Sequence, residues 1–446
     1  MGSAEKRRRS AVALAVVLLV VAVSCSDSGG HGSARARPSV RSLPAGAPAT
    51  PSTPAACTAD PGLAAPSVAV PPDFVLAVQR FANDRGLTGS RFGLSIWVDG
   101  LGEVGALEPD VPLLPASNQK LLTAMGVLSV LGPDARLTTK VRTTPDGGLA
   151  IVGGGDPSLT ARGPNSLDAL AAQVRAAGVR SVSGPLVVDE SRYDGLRRAG
   201  QWQDWQVPAY AGPLSALMVD DNRDRRDAAF LADPALGNGQ AFRFALAAHG
   251  VGVNGPTVHG VVAPHGAVIA SLTSAPVSAL LTDTLQRSDN MAAEELLKEV
   301  GHATGAPGST AGGLAATRAA VAPLCVPLAG ADDDGSGLSP ADGRSPREWR
   351  ELLQAARAQP WGPLLRDALP LAGRSGTLSS RFRRTAAEGN VRAKTGTIIG
   401  GIGLSGYGTT AGGRGFVFSV LVNGSRAPAA ERPLDALIAS VAAHPG

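Results

Sequence analysis

The sequence lacks the features of a metalloenzyme, of a nucleic-acid-binding protein and of an integral membrane protein. Its six histidines include no His-x-x-x-His pair or similar close spacing, so a zinc peptidase is poorly supported and neither a metal nor a cofactor is expected. The formal net charge is +4, and four positive charges lie together at residues 6–9. The remaining sequence therefore gives little reason to expect nucleic-acid binding. The apolar run at residues 11–23 is too short for a comfortable transmembrane span.

The N-terminal segment instead predicts export. The basic cluster precedes the run AVALAVVLLVVAV, which ends in SCS, and this order is typical of a secretion signal. Cleavage before Cys25 would resemble lipoprotein processing, although Ala22 stands where leucine is usual. Residues 1–25 are therefore interpreted as a signal peptide or lipoprotein signal, with an uncleaved anchor or simple release as alternatives. Any membrane contact is expected to come from this segment alone, and the protein is expected in the cell envelope, outside the cytoplasm.

Cysteine is scarce, with three residues in the whole chain. A disulfide bond can persist outside the cytoplasm. If Cys25 is lipidated or removed, Cys57 and Cys325 remain as an even pair, which either forms a bridge or stays unpaired.

The composition divides the chain into segments. Residues 26–70 are rich in Gly, Ser, Pro and Ala, and this composition predicts a disordered tether. Helical and strand patterns follow at 71–140 and return at 277–446. Between them, at 141–276, short strand patterns alternate with glycine-rich turns and predict an inserted, β-rich domain. Three successive strand patterns near the C-terminus predict an antiparallel sheet, at residues 391–397, 401–409 and 415–423.

Lysine is also rare, because only five of the 41 basic residues are lysines. Arginine cannot lose its proton in a protein, whereas burial can lower the pKa of a lysine until it acts as a base. In the stretch LLPASNQKLLTAM, Lys120 follows Ser117 by three residues at the head of a predicted helix, so the two side chains share one face. The spacing alone is a weak signal, because Ser3 and Lys6 share it and because serine is favoured as a helix cap.

Two further short motifs each occur once and follow in order, SDN at 288–290 and KTGT at 394–397. Taken singly, Ser288 would be another helix cap and KTG a surface charge beside a strand-end turn. Taken together with Ser117 and Lys120, they indicate a serine nucleophile with a base within hydrogen-bond reach. A neutral Lys120 would need burial or a neighbouring cation, and Lys394 is a candidate for that cation.

With these three motifs in this order, the sequence resembles the penicillin-binding proteins and serine β-lactamases. Within that superfamily it is similar to the DacB-type D-alanyl-D-alanine carboxypeptidases/endopeptidases, class C penicillin-binding proteins of low molecular mass. The resemblance covers residues 72–443. It rests on PASNQK (115–120), VGGGDPSL (152–159), GPLSALMVDDN (212–222), DGSGLSP (334–340), LPLAGRSGTLSSRF (369–382) and AKTGT (393–397).

The resemblance implies an α+β, penicillin-binding/β-lactamase-like fold, with an antiparallel sheet flanked by helices and interrupted by the smaller insert. It implies hydrolysis of D-Ala-D-Ala ends (carboxypeptidase) or D-Ala cross-links (endopeptidase) of peptidoglycan stem peptides, with β-lactams as covalent inhibitors. Ser117 would be the acylated nucleophile and Lys120 its base. Ser288 would relay a proton to the leaving amine, while Asn290 would hold Lys120 and the substrate amide.

The third motif would bind substrate. By resemblance, Lys394 would steer and polarise the substrate, and Thr395 and Thr397 would bind its terminal carboxylate beside Gly396. The backbone N–H groups of Ser117 and Thr397 would form an oxyanion hole.

Two alternatives remain. A serine β-lactamase uses the same motifs, but its class A form needs a glutamate in a Glu-x-x-x-Asn pattern, and none occurs between Asn290 and Lys394. A non-hydrolytic envelope protein would keep the fold to bind peptidoglycan or β-lactams. In DGSGLSP, Ser336 and Ser339 are interpreted as turn residues and not as catalysts.

Overall fold

The computed structural model describes residues 69–224, 226–263 and 266–445. The predicted signal at 1–25 and nearly all of the predicted tether at 26–70 lie outside them and stay predictions. No helix of the described residues is both long enough and apolar enough to cross a membrane. Cys325 is disulfide-bonded, so the unpaired alternative is wrong, and the other two cysteines lie outside the described part.

The described residues form helices and strands in mixed order. The helices are α1 (Pro72–Ala82), α2 (Gln119–Val130), α3 (Leu167–Ala176), α4 (Gln206–Ala209), α5 (Pro234–Ala248), α6 (Val277–Arg287), α7 (Asn290–His302), α8 (Thr310–Val321), α9 (Pro346–Arg357), α10 (Gly362–Ala368) and α11 (Glu431–Ala442). The strands are β1 (Arg91–Val98), β2 (Gly102–Leu107), β3 (Thr138–Thr143), β4 (Leu149–Val152), β5 (Ser181–Val182), β6 (Leu186–Asp189), β7 (Gly252–Val253), β8 (Thr257–His259), β9 (Val268–Thr273), β10 (Arg392–Ile398), β11 (Gly401–Thr409) and β12 (Gly415–Asn423).

The first five-stranded sheet has the order β10-β11-β12-β1-β2 and is antiparallel throughout. The predicted antiparallel sheet at the C-terminus is therefore confirmed, and β1 and β2 from the start of the folded chain complete it. Side chains alternate along β12, as a pleated strand requires. Phe416 and Phe418 face a core shared with α1 and α11, whereas Val417 and Leu421 face a core shared with α2 and α9. Helices thus cover both faces, as predicted.

The second five-stranded sheet lies between residues 138 and 273, in the order β8-β6-β4-β3-β9. Its β4, β6 and β8 pair in parallel, and its β3 pairs antiparallel with β4 and β9. The sequence predicted strands here but missed α3 and α5, which pack against this sheet. In α5 the glycines Gly237 and Gly239 weaken the helical pattern. The division into a catalytic domain and an inserted domain at 141–276 stays a prediction.

Candidate active site

The first motif lies in a 3₁₀ turn, Ala116–Asn118, that leads directly into α2. Lys120 Nζ donates a hydrogen bond of 3.0 Å to Ser117 Oγ. The Lys120 side chain is 1% exposed, whereas Ser117 is only half-buried and so remains open to a substrate. The prediction that Ser117 caps the helix is wrong, because the turn already begins at Ala116 and the Ser117 hydroxyl accepts from Lys120 instead.

Two further oxygen atoms accept hydrogen bonds from the Lys120 ammonium. Asn290 Oδ1 lies 2.6 Å from Lys120 Nζ, and the carbonyl oxygen of Ser336 lies 2.7 Å from it. The Asn290 amide also donates to the carbonyl oxygen of Tyr210 at 2.9 Å, so its orientation is fixed. Lys120 therefore has three oxygen partners, and one of them is the hydroxyl that it is predicted to activate.

Burial and charge act in opposite directions on Lys120. Burial lowers its pKa from 10.5 to about 8, while Asp334, Glu294, Asp289 and Asp342 act in the opposite direction through their negative charges. A lysine with a pKa of about 8 is partly neutral near neutral pH, so it can accept a proton.

The second lysine of the site has a different environment. Lys394 Nζ donates to Ser288 Oγ at 2.8 Å and to the carbonyl oxygen of Thr395 at 2.8 Å. Its side chain is fully buried, and burial together with the positive charge of Lys120 holds its pKa well below the usual value. From the sequence, repulsion between the two lysines was expected to keep Lys120 neutral. In the free protein this repulsion lowers the pKa of Lys394. The carboxylates act on Lys120, where their negative charges favour the ammonium form.

The second motif lies at the boundary between two helices. Helix α6 ends at Arg287, and Ser288 has the left-handed conformation, with φ of 58°. Asp289, not Ser288, caps α7 by accepting from the N–H of Ala292 at 3.0 Å. The cap interpretation of Ser288 is therefore wrong, and the break between the helices leaves its hydroxyl to bind Lys394.

The third motif lies on β10, the edge strand beside the Ser117 turn. A Cβ built at Gly396 would lie 2.7 Å from Asn118 Nδ2 and 2.7 Å from the carbonyl oxygen of Pro115. Glycine is therefore required so that the turn can pack against the strand. Thr395 Oγ1 donates to Thr377 Oγ1 at 2.7 Å, and Thr377 was not predicted as a site residue.

The outer edge of β10 presents backbone groups to the cleft. Ala393 donates its N–H to Pro370 O at 3.0 Å, away from β11. Since backbone groups alternate between the two sides of a strand, Thr395 and Thr397 also direct their N–H groups outward. In the described part of the chain, no further strand pairs with β10 on this side beyond a single bridge between Leu371 and Arg392. This edge can accept an extended peptide.

The stretch DGSG (334–337) forms the turn that its sequence predicts and also contacts Lys120 in the active site. It presents Ser336 O to Lys120, and Thr123 Oγ1 donates to Gly335 O at 2.7 Å. Asp334 Oδ1 accepts from the N–H of Gly337 at 2.6 Å and so closes the turn. The Ser336 hydroxyl does not reach the nucleophile, in agreement with its interpretation as a non-catalytic residue, but its carbonyl does contact the base.

Gly337 allows this loop to lie against the Ser117 turn. It has φ of +82°, and a Cβ at this position would lie 1.9 Å from the carbonyl oxygen of Ala116. We expect Gly337→Ala to cost about 1–3 kcal/mol from the backbone conformation alone, and to slow acylation by moving Ser336 O away from Lys120. Thermal denaturation and the acylation rate measure the two effects. Gly413→Ala is the matched control, since Gly413 has φ of +84° and nothing within 4 Å of its Cβ position. Equal losses in both variants would contradict the proposed contact.

Among the described residues, no group of three or more His, Cys, Asp or Glu side chains is arranged to hold a metal ion. The site consists of two serine–lysine pairs, Ser117 with Lys120 and Ser288 with Lys394, beside the open edge of an antiparallel sheet. This fold and arrangement define the penicillin-binding and β-lactamase-like class of serine enzymes.

The chain belongs to the D-Ala-D-Ala carboxypeptidase 3 (S13) family, whose sequence profile matches residues 77–229 and 224–443. It is 33% identical over 421 residues to a D-alanyl-D-alanine carboxypeptidase of Actinomadura, a match that covers 75% of this chain and 78% of the relative. It is 33% identical over 426 residues to carboxypeptidase DacB of Mycolicibacterium smegmatis, covering 88% and 90% of the two chains. The serine-type carboxypeptidase activity predicted from the sequence is thereby confirmed.

The fold is also similar to that of penicillin-binding protein 4 (DacB) from Haemophilus influenzae. That structure has a TM-score of 0.70 and 21% sequence identity, and the match covers 82% of this chain and 97% of the other. A second structure of the same protein is a complex with a β-lactam. The predicted fold class is confirmed, while the roles of the individual site residues stay predictions.

Proposed function

We propose that this protein is an exported serine D,D-peptidase that removes D-Ala from peptidoglycan stem peptides through an acyl-enzyme on Ser117. The supporting observation is the hydrogen bond between Lys120 Nζ and Ser117 Oγ beside the open edge of β10, in a member of a D-Ala-D-Ala carboxypeptidase family. We place it in the cell envelope, where stem peptides occur. Lipid attachment at Cys25 stays a prediction.

In the first step, neutral Lys120 accepts the proton of Ser117 as Oγ attacks the carbonyl carbon of the penultimate D-Ala. The present contact has Lys120 as the donor, and loss of one proton from the ammonium reverses this hydrogen bond without moving either atom. The bond from carbon to the amide nitrogen then breaks, and the leaving amine needs a proton. The Ser288 hydroxyl, which accepts a hydrogen bond from Lys394, relays to this amine the proton that Lys120 took from Ser117. Water later cleaves the ester and releases the acyl group.

Substrate binding explains the unusual environment of Lys394. Its pKa is held low by burial and by the charge of Lys120, and no carboxylate of the described residues offsets these two effects. A terminal D-Ala carboxylate bound by Thr395 and Thr397 would favour the charged form of Lys394. The new positive charge would then repel a proton from Lys120, so that binding of the correct chain end prepares the base.

The peptide adds to β10 as a further strand. The N–H group of Thr397 points away from β11, and the N–H group of Ser117 would complete a donor pair for the carbonyl oxygen. Such donors stabilise the negative charge of the tetrahedral intermediate, an effect worth about 3–4 kcal/mol per donor. β-Lactams would enter by the same route and acylate Ser117.

The test is digestion of purified muropeptides with the full-length protein. We expect D-Ala release from uncross-linked pentapeptides, and product masses from cross-linked muropeptides will show whether cross-links are also cleaved. Benzylpenicillin should add one mass equivalent per protein, on the peptide that contains Ser117. Rapid nitrocefin turnover would favour a β-lactamase instead. Penicillin labelling without D-Ala release would favour a non-hydrolytic β-lactam-binding protein.

A further inference from the structure

A buried glutamate on α7 binds the loop that touches Lys120. Glu294 is fully buried and follows Asn290 by four residues, so the two side chains share one face of α7. Glu294 Oε1 accepts from the N–H of Gly335 at 3.0 Å and from the N–H of Ser336 at 2.8 Å. Two successive backbone donors of the loop are thus held by one carboxylate.

The carbonyl groups of the same two residues face α2. Ser336 O accepts from Lys120 Nζ at 2.7 Å, and Gly335 O accepts from Thr123 Oγ1 at 2.7 Å. The loop therefore lies between the two helices, with its N–H groups on α7 and its C=O groups on α2. Because a peptide unit is planar, the Ser336 N–H that Glu294 binds also fixes the direction of the Gly335 carbonyl, which accepts from Thr123. The Ser336 carbonyl shares its peptide plane with the N–H of Gly337, so Glu294 holds the N-terminal side of Ser336 while Asp334 holds the peptide unit that contacts Lys120.

A second buried carboxylate fixes the loop from its other end. Asp334 Oδ2 accepts from the N–H of Ser339 at 2.7 Å and from the indole N–H of Trp202 at 2.8 Å. Asp342 Oδ1 accepts from the N–H of Asp333 at 2.7 Å. Glu294, Asp334 and Asp342, whose charges act on Lys120, therefore also bind the backbone of the loop.

We propose that Glu294 is a positioning residue for Lys120, which holds the Ser336 carbonyl against the ammonium and, through its own charge, resists release of the proton. This inference rests on the proposed role of Lys120 as the base of Ser117. Glu294 contacts the loop and not the reacting atoms, so it acts through Lys120.

The charged groups around the pair support this assignment. Glu294 faces Asp334 on the loop and Lys120 on α2, and burial together with the charge of Asp334 raises its pKa to about 8. Lys120 faces Asp289 and Asp342 as well as these two carboxylates, and Lys394 is the second cation of the site. With a pKa of about 8, Glu294 gains its negative charge over the same pH range in which Lys120 loses its proton. This charge stabilises the ammonium form of Lys120, so its removal should ease the deprotonation of Lys120 in that range.

Two substitutions separate the contact from the charge. Glu294→Gln keeps the volume and one oxygen to accept from the loop, but it removes the charge. Glu294→Ala removes the acceptor, so the buried N–H of Gly335 loses its partner and the N–H of Ser336 keeps only Asp334 Oδ1, at 3.1 Å. Glu295→Gln is the matched control, because Glu295 is the next residue, is equally buried, and faces Glu299, Lys298 and Asp156 instead of the loop. Burial raises the pKa of Glu295 well above its usual value, so glutamine should replace it at little cost.

The measurement is the second-order rate constant of acylation by a fluorescent penicillin between pH 6 and pH 10 (about four units around the pKa of Lys120). We expect Glu294→Ala to slow acylation roughly 100-fold, the scale of a misplaced catalytic group. We expect Glu294→Gln to stay within a few-fold of wild type at high pH, with its rising limb shifted to lower pH. Glu295→Gln should match wild type in both respects. Circular dichroism verifies folding, and Glu294→Gln carries the test if the alanine variant does not fold.

A rising limb at the same pH in Glu294→Gln and wild type would overturn the inference, as would equal losses in Glu294→Gln and Glu295→Gln. Wild type is measured in parallel, because the proposed function fails separately if wild type is not acylated at all. Acylated wild type together with an unshifted variant leaves the proposed function intact and refutes only the role of Glu294.

Discussion

Replacement of Ser117 by alanine is expected to abolish covalent penicillin binding and to reduce D-Ala release on the order of 10⁶-fold, the scale seen when a serine nucleophile is removed. No acyl-enzyme can form without Oγ. The fold should be retained, because Ser117 is half-buried and Lys120 keeps Asn290 Oδ1 and Ser336 O as partners. The loss of one hydrogen bond should change the free energy of unfolding by about 1 kcal/mol or less.

Gel fluorescence after penicillin labelling and a D-Ala release assay measure this effect, and thermal denaturation verifies the fold. Ser405→Ala is the matched control, since Ser405 is a buried serine on β11 that bonds to Ser419 within the sheet at 2.8 Å. That variant should label like wild type. Persistent labelling of Ser117→Ala would place the nucleophile at another residue and refute the site.

The C-terminal strands of the first five-stranded sheet could be predicted, because an alternating hydrophobic pattern is a property of a few neighbouring residues. The alternating pattern of GFVFSVLVN predicted β12, and the structure places its even-numbered and odd-numbered residues on opposite cores. The pairing of β12 with β1 could not be predicted, because it joins segments more than 300 residues apart in the sequence. The parallel pairs in the second sheet were missed for another reason: the glycine-rich turns indicate where each strand ends but not which strand pairs with which.

The site could be predicted in its side chains but not in its backbone contacts. Ser117, Lys120, Ser288, Asn290 and Lys394 were all named from motifs, and the structure brings them together through side-chain hydrogen bonds. The contact from Ser336 to Lys120 is made by a carbonyl oxygen, which every residue possesses, so no sequence pattern could single it out.

Glu294 was missed for a different reason. It is one of two adjacent glutamates on α7. Charged residues on a helix are expected on its solvent-exposed face, but both of these glutamates are fully buried. The left-handed conformation of Ser288 was also missed, because serine is far more common as a cap at this kind of helix boundary.

Replacement of Lys120 by arginine should slow acylation about 10²- to 10⁴-fold, the range of a general base. Arginine keeps a positive charge and several N–H donors for Asn290 Oδ1 and Ser336 O, but it cannot be deprotonated in a protein. The decrease in the acylation rate therefore reports mainly the loss of proton transfer and not the loss of hydrogen bonds to Asn290 and Ser336. Lys298→Arg is the control, because Lys298 is 1% exposed, binds Asp194 and Leu196 O, and lies outside the site.

The pH profile gives the sharper result. In wild type the pKa of Lys120 is about 8, so the neutral, proton-accepting fraction grows as the pH rises through that value, and the acylation rate should rise with it. At pH 7 about one tenth of Lys120 is neutral, and at pH 9 about nine tenths. Lys120→Arg should lose this rising limb, while Lys298→Arg should keep it. A limb that survives in Lys120→Arg would assign the base to another group, and Lys394, whose pKa is held low and which bonds to Ser288, would then be the candidate.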